Sequence, residues 1–195
     1  MCYIFDVTHA FNASWLFLVP RVPAQPSRHR VAVWRELRRL GAVPAAAGVW
    51  AVPNLPAFSE RVPAVRELAE RGDGALAVFE VAGQDDDDAG GLRDAFIATR
   101  IDEWNEFVAD CEKFDAEIAR EVAKEKFTFG ELEEEEQSLE RLRRWHRDLL
   151  RRDAFALPNA VRATERLNAS TEKLAAYSER VFALNLPADP DTSFR

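Results

Sequence analysis

The chain has 195 residues, enough for one domain or for a small domain with a helical extension. Its hydrophobic share of 47% excludes a largely disordered protein, and no apolar run is long enough to cross a membrane. Only two cysteines and an N-terminus without a signal-peptide pattern predict a reduced, cytoplasmic protein, while the net charge of −8 disfavours non-specific binding to nucleic acid.

The charges are distributed unevenly along the chain. Residues 1–80 carry nine basic and seven acidic side chains, residues 81–138 six basic and 19 acidic, and residues 139–195 eleven basic and eight acidic. Within 14–41, six arginines accompany a single acid, Glu36. An acidic protein can therefore still present a local basic face.

The first predicted elements are a buried strand and an amphipathic helix. The apolar run 15–19 (WLFLV) is typical of a central strand, and the prolines after it interrupt regular structure. Ser27 is the predicted N-cap of a helix that begins near Arg28 and ends at Gly41 in the left-handed conformation. On a helical wheel the apolar side holds Val33, Trp34, Leu37 and Leu40, and the opposite side holds Arg28, Arg35 and Arg39.

A strand pair, a second helix and a last strand follow. Val43 and residues 49–52 are predicted to form two short strands around Gly48, with Pro53 closing the second. The second helix is predicted over Pro56–Arg71 and the last strand over Ala75–Val81. The order β-α-β-β-α-β is that of the ferredoxin-like fold, which we predict over residues 14–82.

Long helices are predicted from Gly90 onward. The first carries a coiled-coil-like seam of Ile97, Ile101, Trp104, Val108, Cys111, Ile118 and Val122, with Asp115 as its one polar interruption. Thr128 and Glu131 predict a capping box for the second helix, and Pro158 begins a third. Residues 90–186 are therefore predicted to form an antiparallel helical hairpin or three-helix bundle, which makes the chain α+β. The segments 1–13 and 187–195 are predicted to be flexible.

The sequence contains no recognisable catalytic or metal-binding motif. His9, His29 and His146 are scattered, and no Cys-x-x-Cys, nucleophile elbow, P-loop or dinucleotide fingerprint occurs. Four consecutive acids at 85–88 are interpreted as a solvated loop rather than a cation site. We therefore predict a protein that is not an enzyme and holds no metal or cofactor.

Two sets of arginines are the candidate binding residues. The first set is Arg21, Arg28, Arg30, Arg35, Arg38 and Arg39. The second follows the second long helix and comprises Arg141, Arg143, Arg144, Arg147, Arg151 and Arg152, of which Arg143, Arg144, Arg147 and Arg151 form a predicted secondary basic face. Guanidinium groups suit phosphate and other oxyanions because they donate paired hydrogen bonds from a planar fork. The alternative is that both sets form surface salt bridges with the acidic block at 102–136. The five tryptophans are predicted core residues, although Trp34 beside Arg35 is also suited to lining a groove.

Six short patterns occur in order along the chain. They are SWL from Ser14, RVP from Arg21, VWRxLxxLGA from Val33, GVW from Gly48, FTFxELE from Phe127 and LRRW from Leu142. Together they resemble the N-terminal domain of the ChrB family of chromate-resistance proteins, over residues 14 to about 185. The resemblance implies a cytoplasmic regulatory protein of the chromate response that binds DNA. Full-length ChrB proteins carry a further C-terminal domain, so a role as a partner subunit stays open.

The β-α-β-β-α-β segment also resembles the ferredoxin-like domain of PaaX-type repressors and of small CRISPR adaptation nucleases. Those nucleases place an Asp at the end of the first strand, where this chain has Leu18-Val19-Pro20-Arg21. Because a two-metal nuclease needs carboxylates to hold its ions, this departure argues against the activity. The PaaX-type repressors place a winged helix before this domain, and the residues before Ser14 are too few for one.

The leading hypothesis is a ChrB-like regulator whose first arginine set binds an anionic partner, either DNA phosphate or an oxyanion such as chromate. The second is a non-catalytic interaction module that forms a homo-oligomer or docks a partner protein. A metal-dependent nuclease is the third.

Overall fold

The computed structural model describes residues 14–82 and 86–186; the predicted flexible segments lie outside these ranges. The strands are β1 (Trp15–Arg21), β2 (Val43–Ala46), β3 (Val49–Pro53) and β4 (Ala75–Val81). The helices are α1 (Ser27–Leu40), α2 (Pro56–Ser59), α3 (Val62–Glu70), α4 (Asp86–Ala123), α5 (Phe129–Arg152) and α6 (Pro158–Asn185). The acidic run at 85–88 begins outside the described residues, and its other members fall in the first turn of α4.

The four strands form one antiparallel sheet in the order β2-β3-β1-β4. The central strand β1 places Phe17 between Ala51 of β3 and Phe79 of β4. The sheet belongs to an apolar core in which Leu18 and Leu37 are almost completely buried. The α+β prediction and the positions of the four strands are confirmed.

The first helix departs from its prediction at two positions. Pro26 occupies the N-cap position of α1 and no side chain bonds the free amides, so the prediction of a Ser27 cap is wrong: Ser27 is already helical. Trp34 was predicted on the apolar side and is 52% exposed. The buried stripe of Val33, Leu37 and Leu40 covers only about 60° at 100° per residue, and Trp34 lies about 60° beyond its edge. The predicted left-handed Gly41 is confirmed, with φ of 90°.

The second predicted helix consists of two pieces. Pro63 lies in the first turn of α3 and has no N–H for the carbonyl four residues before it, which belongs to Ser59. The proline ring also crowds that carbonyl in a continuous helix, and α2 accordingly ends at Ser59. The sequence prediction missed this break, which consists of Glu60 and Arg61.

The chain divides into two compact units, and their bounds differ from those of the two domains predicted from the sequence. The first unit runs to Glu103 and also contains Asp148–Leu157, while the second comprises Trp104–Arg147 and the chain from Pro158 onward. The N-terminal turns of α4 and the end of α5 thus pack with the sheet. The division into a ferredoxin-like domain at 14–82 and a helical bundle at 90–186 stays a prediction. No helix among the described residues is long and apolar enough to cross a membrane.

The second unit is built from parts of all three long helices. From the predicted seam, Trp104, Val108, Cys111 and Ile118 are buried. The buried Asp115 on α4 is fully partnered by α6: the Ser170 hydroxyl donates to it at 2.7 Å, and it forms ion pairs with Arg166 and Lys173 at 2.7 and 2.6 Å. At the start of α5 the Glu131 amide donates to the Thr128 hydroxyl at 3.3 Å, one half of the predicted capping box.

A buried carboxyl in this unit gives a pH-dependent prediction. Burial, followed by the charges of Glu121, Glu131 and Glu134, raises the pKa of Glu135 above its usual value. A carboxyl whose pKa is raised by folding stabilises the fold at low pH and loses that contribution as the pH rises through the folded-state pKa. We therefore expect Glu135→Gln to raise the free energy of unfolding at pH 7 by about 0.5 kcal/mol, the size of a relieved like-charge pair in a helix.

Urea unfolding at pH 7 and pH 4 measures the effect, which should disappear at pH 4. The exposed Glu133 on the same helix supplies the control Glu133→Gln. A Glu135→Gln variant that is less stable than wild type at pH 7 would contradict the prediction.

Candidate anion-binding face

The first set of predicted arginines lies mostly on one helix. We define the arginine face as the five exposed arginines of α1: Arg28, Arg30, Arg35, Arg38 and Arg39. Arg28, Arg35 and Arg39 fall within about 40° of one another on the helical wheel, opposite the buried stripe; Arg38 lies about 60° from Arg35, and Arg30 lies on the other side of the helix beside Trp34. Arg21 is exposed at the end of β1 and is not part of this helix.

Most of this face has no intramolecular counter-charge. Arg39 forms an ion pair with Glu36 at 3.2 Å, and such an exposed pair is weak. The side chains of Arg28, Arg30, Arg35 and Arg38 form no ion pair or hydrogen bond with any other described residue, and neither does that of Arg21. The predicted alternative of pairing with the acidic block at 102–136 is therefore not seen for the first set in the part of the chain that the structure describes.

Two apolar side chains interrupt the arginine face. Trp34 is 52% exposed and Val31 is 40% exposed. Trp34 lies one turn from both Arg30 and Arg38, so its indole is a helical neighbour of two guanidinium groups. An exposed indole among cations offers a stacking surface for a planar group beside a site for negative charge.

The C-terminal end of α1 is held by three further arginines, which we call the arginine cap: Arg61, Arg100 and Arg152. The Gly41 and Ala42 amides first close the helix by donating to the carbonyls of Arg38 and Leu37. Guanidinium groups then donate to three backbone carbonyls: Arg152 to Arg38 at 3.2 Å, Arg61 to Arg39 at 3.1 Å and Arg100 to Gly41 at 3.0 Å. Cations at a helix C-terminus oppose the negative end of the helix dipole, so the cap stabilises α1.

Glu103 pairs with two members of this cap. Its Oε1 atom lies 3.1 Å from Arg100 Nη2 and 3.4 Å from Arg152 Nη1, and Arg100 itself is only 2% exposed. Burial lowers the pKa of Arg100 to about 10, against the opposing effect of Glu103. Arg100 also lies over the Phe96 ring, 4.9 Å from its centroid. The cap therefore remains cationic at neutral pH and fixes the end of α1 in place.

The sequence prediction missed the arginine cap. It placed the first set on the surface correctly, but it treated Arg152 as part of a second basic set and did not single out Arg61 or Arg100. The available signal was weak: Arg100 follows Phe96 by four residues, which places an arginine on an apolar helix face.

The predicted secondary basic face is largely neutralised by acids of its own helix. Arg147 pairs with Glu140 at 3.2 Å, Arg143 reaches the same carboxylate at 4.0 Å, and Arg151 pairs with Asp148 at 3.1 Å. Arg144 is exposed and forms no ion pair with another described residue. This face therefore offers less free positive charge than the arginine face.

Two other reactive side chains, Cys111 and His146, lie inside the second unit. Burial raises the pKa of the Cys111 thiol to about 11, and the thiol is therefore protonated and shielded at neutral pH. His146 is buried, bonds the Thr164 hydroxyl at 2.9 Å, and has its pKa lowered by burial and by Arg147. Within residues 14–82 and 86–186 no three His, Cys, Asp or Glu side chains converge as they do in a metal site.

Comparison with known proteins gives a family match over most of the chain. The model of the family described as "Protein ChrB, N-terminal" matches residues 30–187. The chain belongs to this ChrB N-terminal family. One curated relative is Protein ChrB of Cupriavidus metallidurans, 30% identical over 94 residues. That alignment covers 48% of this chain and 29% of the relative, and no solved structure matches.

The ChrB match includes most of the candidate site. The match begins at Arg30. It contains the whole arginine cap and every member of the arginine face except Arg28, and it does not contain Arg21. The predicted resemblance to the ChrB family is confirmed. The likeness to PaaX-type repressors stays an interpretation of the sequence.

Proposed function

We propose that this ChrB-family chain is a non-catalytic regulator of the chromate response and that its arginine face contacts the phosphates of DNA. One observation carries the proposal: four exposed guanidinium groups on a single helix have no counter-charge among the described residues. In a protein with a net charge of −8, unpaired arginines concentrated on one helix are well suited to an anionic partner.

The dimensions of the face favour a polyanion over a single oxyanion. From Arg28 to Arg38 the helix rises about 15 Å, at about 1.5 Å per residue. Duplex DNA carries one negative charge per ~1.7 Å of axis, and it can therefore engage several of these arginines together. A tetrahedral oxyanion engages only neighbouring guanidinium groups about one turn apart, such as those of Arg35 and Arg39, and it therefore uses less of the face than a polyanion does.

The arginine cap supports this proposal by fixing the helix that carries the face. Two of the three carbonyls that it binds belong to Arg38 and Arg39, which are themselves members of the face. A helix end that is held rigidly loses less conformational entropy when its side chains bind a partner.

We also propose the finer assignment of the fold. The sheet order β2-β3-β1-β4 with antiparallel neighbours supports a ferredoxin-like βαββαβ arrangement. Contacts of α4 with α6 through Asp115 and of α5 with α6 through His146 support a three-helix bundle in the second unit.

Fluorescence anisotropy with a labelled duplex at a series of salt concentrations tests the DNA contact. We expect wild-type binding to weaken steeply with salt, because bound phosphates release counterions. Replacing Arg28, Arg35 and Arg38 together with Ala should weaken binding and reduce the slope of log K against log salt by about 1 for each phosphate that the variant no longer binds.

A matched control removes the same number of charges elsewhere. Arg143, Arg147 and Arg151 are paired with acids of α5, so their replacement with Ala should leave the salt slope close to that of the wild type. Absence of salt-sensitive binding by the wild-type protein would contradict the DNA contact. Chromate binding that is lost in the α1 variant would instead assign the face to a free oxyanion.

A further inference from the structure

The two edges of the sheet differ in how open they are to another strand. The β2 edge is four residues long, contains Pro44 and is irregular between Pro44 and Ala46. The β4 edge runs for seven residues, Ala75–Val81, with no proline, and no other described strand pairs with its outer side. Natural proteins block exposed edges with short strands, prolines, bulges and charged side chains; β2 has the first three, whereas β4 has only the charged side chains of Arg66 and Glu80 beside it.

The register of β1 and β4 shows which backbone groups of β4 point outward. Pro20 has no N–H and lies opposite Leu76, so this pair belongs to the positions that exchange no hydrogen bonds within the sheet. Bonded and non-bonded pairs alternate along antiparallel strands, and therefore Leu76, Val78 and Glu80 direct their N–H and C=O groups away from β1. The Leu76 carbonyl confirms the direction, because Arg66 of α3 donates to it at 2.9 Å from outside the sheet.

We propose that β4 pairs with β4 of a second copy of this chain, antiparallel and with the two-fold axis at Val78. The outward residues then form the bonded pairs, with Val78 opposite Val78 and Leu76 opposite Glu80 of the second copy. This register satisfies the outward groups of all three residues at once and continues the sheet through the dimer. A carbonyl has two lone pairs, so Leu76 can accept from the second copy while it keeps its bond from Arg66.

The side chains of β4 match in this register. Phe79, 57% exposed, lies opposite the small Ala77 of the second copy, so the ring covers a position with room for it. Glu80 of one copy lies opposite Leu76 of the other, where Arg66 is already bound. Ser14 and Asn54 donate to Glu80 Oε1 at 2.6 and 3.0 Å, and neither of these bonds uses Oε2. Once the Glu80 side chain turns from Ser14 and Asn54, which lie on the β1 side, toward the outer edge, two symmetric Arg66–Glu80 ion pairs can form across the axis, and no like charges face each other.

Sedimentation of the wild-type chain over the micromolar range tests the dimer, with Val78→Pro as the main variant. The Val78 N–H points outward, so proline removes intermolecular hydrogen bonds and spares the β1–β4 ladder. We expect a wild-type dimer and a Val78→Pro dissociation constant higher by about tenfold or more, with an unchanged circular dichroism spectrum. A wild-type monomer throughout this range would overturn the proposal.

Charge reversal tests the β4–β4 interface independently of Val78→Pro, and it stays informative if that variant misfolds. Arg66→Glu and Glu80→Arg should each shift the chain toward monomer because they place like charges across the axis. The double variant, with both reversals, should dimerise again. Asn54→Ala is the control, since it removes a bond to Glu80 without changing charge. A dimer whose dissociation constant is unchanged by all of these substitutions would place the interface elsewhere. None of these measurements involves DNA.

Discussion

Replacing Gly41 with alanine should lower the free energy of unfolding by about 3 kcal/mol. The backbone at Gly41 has φ of 90°, which costs an L-residue roughly 1–2 kcal/mol. The new Cβ would also lie 2.6 Å from Arg100 Nη1 and 2.9 Å from Arg152 Cδ. Moving Arg100 weakens its charged hydrogen bond to the Gly41 carbonyl, which is worth about 1.5–3 kcal/mol.

A second left-handed glycine among the described residues, Gly48, offers a matched control. Gly48 has φ of 74°, and a Cβ there meets no atom within 4 Å. Gly48→Ala should therefore show the backbone cost alone, about 1 kcal/mol. Urea unfolding of the two variants measures the difference. Equal decreases in the free energy of unfolding would show that Arg100 and Arg152 move away from the extra methyl group without destabilising the fold.

Replacing Glu103 with alanine should cost about 3 kcal/mol, because it leaves Arg100 and Arg152 without their shared carboxylate. Removing one member of a buried ion pair typically costs ~3–5 kcal/mol, since the remaining charge stays away from water. Arg100 is 2% exposed, and its Nε atom has no hydrogen-bond partner among the described residues. Its guanidinium is therefore poorly solvated once the carboxylate is lost.

Glu36→Ala supplies the comparison on the protein surface. Glu36 pairs with Arg39, whose side chain is 71% exposed, and such pairs contribute about 0.2–1 kcal/mol. Thermal and urea unfolding of both variants should rank Glu103→Ala well below Glu36→Ala in stability. A Glu103→Ala variant as stable as Glu36→Ala would mean that solvent reaches the cap and screens its charges.

Local sequence patterns were sufficient for the four strands and for the exposed arginines. Apolar runs and turn residues identified all four strands, and Gly41 identified the end of α1. The orientation of Trp34 was predicted wrongly because residue type was given more weight than angle: Trp34 lies outside the narrow stripe set by Val33 and Leu37. Pro63 interrupted a helix that the apolar spacing alone describes as continuous.

Local sequence patterns could not predict the arginine cap, and the reason is physical. Arginines are mostly exposed in proteins, so a sequence prediction assigns them to the surface unless a partner is known. The partners of Arg100 and Arg152 are backbone carbonyls 59 and 114 residues away in the chain. No local spacing encodes a bond of that range, and only the folded structure reveals it.

Because the arginines of the cap come from distant parts of the chain, the bonds at the end of α1 are completed late in synthesis. Synthesis proceeds from the N-terminus, and all four strands and α1 are complete once residue 81 has been made. At that stage Arg61 is the one member of the cap that exists. The last turn of α1 therefore acquires its full set of bonds only after residue 152 has left the ribosome. The helix that carries the arginine face is thus among the first segments to be made and among the last to be secured.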